Sequence, residues 1–91
     1  MAKKYAIVTK ERQGEAFRVA LGLLLLDDEV DVYVLAAQVS EDTMAQQQFI
    51  QLKEMELPLY FTEGDPNLVD CITRDEVAAK LPDYDHVIPF F

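Results

Sequence analysis

Two stretches decide the fold of this chain: Tyr5-Ala6-Ile7-Val8 and Val30-Asp31-Val32-Tyr33-Val34-Leu35, separated by a polar turn and an apolar run to Leu26. Both stretches are rich in the β-branched and aromatic residues that suit strands. Between them, Ala16, Phe17, Ala20, Leu21 and Leu24 recur at helical spacing. Strand, helix, strand is the unit of a parallel sheet, so the chain reads as an α/β protein. Near-continuous apolar strands fit a sheet covered on both faces. In such sheets the crevice that binds ligands lies at the carboxyl ends of the strands.

Outward from this unit, the first helix is expected over 14–27, ending at Asp27-Asp28-Glu29, where carboxylates oppose the helix dipole. Gly22 in its middle costs about 1 kcal/mol against Ala, which close approach of a neighbouring backbone would explain. Leu23 and Leu26 widen the apolar face beyond what a sheet covers, and in so small a domain this predicts a homo-oligomer. Ser40 reads as the N-cap of a second helix running to about 56, with Ala45, Phe49 and Leu52 inward. Leu59-Tyr60-Phe61-Thr62 reads as a third strand, while 68–72 fits a strand, a helical turn or a loop equally. Thr73-Arg74-Asp75-Glu76 is a capping box that opens a helix over 74–81, with Val77, Ala78 and Leu81 inward. The last strand is 86–90, and its Pro89 suits an edge. The expected fold is a single domain, 1–91: a small open parallel sheet of about four strands, helices on both faces, strand order 2-1-3-4.

The 91 residues hold 17 Asp+Glu against 8 Lys+Arg, a formal charge of -9. Repulsion from phosphates excludes nucleic acid and an anionic membrane surface as partners. A basic protein partner remains, as does solubility alone. No apolar run reaches the roughly 20 residues that span a bilayer, and Met1-Ala2-Lys3-Lys4 lacks signal-peptide character. The single cysteine excludes an internal disulfide and a multi-cysteine zinc site. A cytoplasmic protein is expected.

Chemistry-bearing residues are few. Lys10-Glu11-Arg12-Gln13-Gly14 has one glycine and no diphosphate-wrapping spacing, so no dinucleotide cofactor is expected. Lys10 and Arg12 at the start of the first helix form a candidate anion-binding site, the alternative being surface charges paired with Glu11 and Glu15. Cys71 is the candidate catalytic residue, two positions before a capped helix start whose amides favour a thiolate. Asp70 opposes that, and the flanking Val69 and Ile72 suit a merely buried cysteine. His86 opens the last strand with neither Ser40 nor Cys71 on the same element, so no triad is legible. Asp83, Asp85 and His86 lack a specific ligand spacing, and no metal is expected.

The opening Lys3-Lys4-Tyr5-Ala6-Ile7-Val8-Thr9, the helical Ala20-Leu21-Gly22-Leu23 and the strand Val30 to Leu35 together resemble the DsrE/DsrF/DsrH-like (TusB/TusC/TusD-like) sulfur-relay family. The ending, Ile72-Thr73-Arg74-Asp75-Glu76-Val77 followed by Asp83-Tyr84-Asp85-His86-Val87-Ile88, is similar to that family's last helix and strand. The resemblance implies a DsrE-like, flavodoxin-like subunit that assembles into oligomers and carries persulfide sulfur on a cysteine for a partner protein. The region 36–41 holds no cysteine, so that role would fall to Cys71. The chain is also shorter than some relatives, which fits a non-catalytic member, and the residues themselves favour a non-catalytic oligomeric subunit that binds a protein partner or a small anion at the strand ends.

Overall fold

The computed structural model describes Lys3 to Phe91; Met1 and Ala2, part of the start read as leaderless, lie outside the described residues. The elements are β1 (Lys4–Thr9), α1 (Gln13–Leu25), β2 (Glu29–Val34), α2 (Thr43–Glu54), β3 (Leu59–Phe61), α3 (Arg74–Lys80), a short 3₁₀ turn (Leu81–Asp83) and β4 (His86–Phe90). All three strand pairings are parallel, which makes the small open α/β sheet expected from the sequence. Among the described residues no helix is long and apolar enough to cross a membrane.

The strand order is β3-β2-β1-β4, not 2-1-3-4. β1 is interior, but its second neighbour is β4 and β3 lies outside β2. The reason is the face that α2 chooses. Right-handed crossovers on one face advance the chain in one direction, and α1 and α2 share a face, packed over Ile7, Val32, Val34 and Phe61. Gly14 lets them meet: a Cβ there would stand 3.3 Å from Asp42 Oδ2 and 3.5 Å from the Ala45 amide. Gln13 stitches the same corner, its Nε2 donating to the Lys10 carbonyl at 3.0 Å and its Oε1 accepting from the Ser40 amide at 2.8 Å. Direction reverses only when α3 crosses on the opposite face, over Ala6, Val8 and Tyr33, and sets β4 against β1.

Local differences have local causes. α1 stops at Leu25 because Asp27 turns into the left-handed region at φ 64. Gly22 faces open space, so no neighbouring backbone accounts for it. Leu23 packs against the core, whereas Leu25 and Leu26 are 67% and 73% exposed. Ser40 does not cap α2, since Gln13 holds it in the loop; the N-cap is Asp42, without a side-chain cap bond. The Thr73–Glu76 capping box forms as read, but only Val77 of α3 is buried and Ala78 faces solvent. The undecided 68–72 becomes a turn and then a parallel bridge from Cys71 to Phe61, which covers part of the outer edge of β3. Pro89 lies on the edge strand β4.

Candidate functional site

The switch point is between β1 and β4: the crossover leaving β1 goes to one side of it and the crossover reaching β4 comes round on the other face, and in open α/β sheets ligands gather at the carboxyl ends of such strands. Three features meet there. The Lys10 amide donates to the Phe90 carbonyl at 3.2 Å, closing the end of β4 onto the β1–α1 loop. The Arg12 guanidinium lies 5.5 Å from the Phe90 ring centre, within cation–π range. No side chain caps the amino end of α1, whose N-cap position is Arg12 itself.

Arg12 also pairs with Glu15. That hydrogen bond, and the guanidinium charge behind it, hold the Glu15 carboxyl below its usual range. The pair is solvent-exposed on both sides, so it adds little to stability. Lys10 is exposed and forms no ion pair among the described residues. The sequence-predicted pair Lys10 and Arg12 thus stands at one helix start, and the alternative partner Glu15 is engaged there as well.

Sequence reasoning missed Thr9. It is fully buried at the end of β1, in register with Val34 and Phe90, and its hydroxyl has no hydrogen-bond partner. A threonine closing an apolar strand run was the available signal.

Cys71 stands elsewhere. It is exposed, so the reading of a buried structural cysteine fails; its carboxyl-end position comes from the bridge to Phe61. Its single S–H has two carbonyl acceptors in reach, Gly64 at 3.2 Å and Val69 at 3.6 Å. Arg74, the nearest cation in sequence, reaches Glu63 at 3.5 Å. From the Cys71 bridge across β3 and β2 to β1 is three strand spacings, roughly 14 Å. The thiol and the Lys10–Arg12 pair do not form one site.

His86 stacks on Tyr5, with ring centroids 5.2 Å apart, at the amino end of β4. Its register partner Tyr5 is separated from Thr9 by roughly 13 Å of strand. Ser40, Cys71 and His86 are therefore not brought together, and no group of three metal-ligating side chains exists among the described residues.

What the fold defines is a small doubly wound α/β domain with two cationic side chains at the start of α1 and a separate exposed thiol. The chain matches no protein-family model, no curated protein and no solved structure. Its reading rests on its own residues.

Proposed function

We propose that this protein is a non-catalytic, self-associating α/β subunit that binds a small anion at the start of α1, beside the carboxyl ends of β1 and β4. The observation that carries this is the placement of Lys10 and Arg12 at the uncapped amino end of α1, beside the switch point. An anion there meets first-turn amides, the positive end of a 13-residue helix and two cationic side chains. Glu15 is the internal competitor for Arg12, so a dianion such as phosphate displaces it better than a monoanion does. Self-association falls to exposed Leu26 and its neighbour Leu25. The reading assigns the protein to the cytoplasm, where a lone thiol stays reduced. Inorganic phosphate is expected to raise the unfolding temperature of the wild type, and to leave a Lys10→Gln/Arg12→Gln variant unmoved. Equal shifts in both would reject the site.

A second reading is sulfur relay through Cys71, favoured by the exposure of its thiol at the carboxyl end of the sheet. In this reading the Cys71 thiolate attacks the outer sulfur of a persulfide on a donor protein. The donor's S–S bond breaks, the donor leaves as a thiolate, and Cys71 holds the new persulfide for a partner thiolate to take in the same way. A mass gain of one sulfur after incubation with a persulfide donor, absent from Cys71→Ser, tests it.

A further inference from the structure

At the opposite, amino end of the sheet an open, mostly apolar cleft of about 330 Å³ lies where α1 and α2 end. Leu24, Leu57 and the exposed Met55, with Val30 and Pro58, form its apolar surface. Asp28, Glu29, Asp31 and Glu56 rim it, and none of the four forms an ion pair among the described residues. Lys4 is the only cation on the lining, and its ammonium is already set over the Tyr84 ring, 4.9 Å from the centroid. Two helix carboxyl ends add partial negative charge to the same place.

We propose that this cleft docks a basic, apolar-flanked segment of a partner protein, an Arg or Lys side chain reaching the rim while a neighbouring apolar side chain fills the floor. Charge complementarity fixes the occupant. A second copy of this chain, with 17 Asp+Glu against 8 Lys+Arg, would bring mostly carboxylates against this rim, and its own association is assigned to Leu25 and Leu26 outside the lining. A small amine would remain mostly wet in so open a cleft, whereas ligand sites enclose most of a ligand's surface. A protruding side chain, anchored by the rest of its protein, needs no enclosure. Asp31 and Asp28 are already hydrogen-bonded, to the Tyr84 hydroxyl and the Lys3 amide, so Glu29 and Glu56 are the carboxylates free to meet the incoming cation. This inference is independent of the anion site, which lies at the other end of the strands.

The test uses the full chain and a synthetic peptide, Gly-Ser-Leu-Arg-Leu-Lys-Gly-Ser, with a control carrying Glu in place of Arg and Lys. Methyl resonances of Leu24, Leu57 and Met55 are expected to shift saturably with the basic peptide and not with the control. Glu29→Gln/Glu56→Gln is expected to raise Kd about tenfold and flatten its salt dependence, while Lys10→Gln/Arg12→Gln leaves it unchanged. Binding that maps elsewhere, that ignores the Glu29/Glu56 change, or that the acidic control matches, overturns the proposal. So do methyl shifts that follow protein concentration without peptide, which would assign the cleft to a second copy.

Discussion

The Tyr84 hydroxyl donates to Asp31 Oδ2 and is bonded to the Tyr33 hydroxyl, tying the approach to β4 to the middle of β2 across 53 residues. Each phenol has one proton, so Tyr33 donates to Tyr84 and Tyr84 to Asp31. Tyr33 is nearly fully buried, stacks on Tyr60 with centroids 5.7 Å apart and meets Tyr84 edge-on. This network fastens the sheet face that α3, only seven residues long, covers incompletely. Tyr84→Phe leaves Asp31 without that donor and is expected to destabilise the fold by about 1–3 kcal/mol, measured by denaturant unfolding.

The same pair sets an alkaline limit. Burial, and for Tyr84 next its bond to the Asp31 carboxylate, raises both phenols above the ordinary value of 10.0. Unfolded, they ionise near that value; folded, they resist. Stability from them is complete below about pH 10 and is lost as pH rises beyond it. The denaturant midpoint should hold to about pH 10 and then fall, and the fall should be shallower in Tyr84→Phe.

Two glycines are expected to answer alanine with opposite signs. Gly22 lies in an exposed helix interior with open space around it, so Gly22→Ala stabilises by about 1 kcal/mol. At Gly64 a Cβ would stand 2.5 Å from Val69 Cγ2 and 3.2 Å from the Ala37 carbonyl. Gly64→Ala must move the loop that holds Cys71 and is expected to destabilise by about 1–3 kcal/mol. Thermal unfolding of the two variants checks both signs.

Glu56 follows α2 in the left-handed region, φ 58, where glycine is at ease. Glu56→Gly is expected to stabilise by about 1 kcal/mol, through relief of the backbone and removal of a carboxylate from a helix carboxyl end. A carboxylate at this place fits a surface that meets cations. A destabilised Glu56→Gly, seen by the same unfolding measurement, would contradict this account of the turn.

The βαβ unit was legible because Tyr5 to Val8 and Val30 to Leu35 are apolar runs that only a covered parallel sheet accommodates. Pro89 and the Thr73–Glu76 capping box were legible because each is a local rule with a local cause. Strand order was not, because it depends on which face α2 takes. That is decided by Gly14 against Ala45 and by Gln13 reaching Ser40, contacts between residues 27 or more apart in the chain. The position of Lys10 and Arg12 was legible because they flank a helix start, whereas the burial of Thr9 and the Tyr33–Tyr84–Asp31 network required the register. The exposure of Cys71 could not be read from Val69 and Ile72, since the bridge to Phe61 turns the thiol outward while Ile72 is buried.

The central claim is that an anion binds at the start of α1, beside the carboxyl ends of β1 and β4. The most direct measurement is a titration of the amide spectrum with inorganic phosphate at constant ionic strength. The account predicts saturable shifts at Lys10, Gln13, Gly14 and Glu15, abolished in Lys10→Gln/Arg12→Gln. Amides that stay in place throughout, or that shift identically in the wild type and the variant, would contradict it.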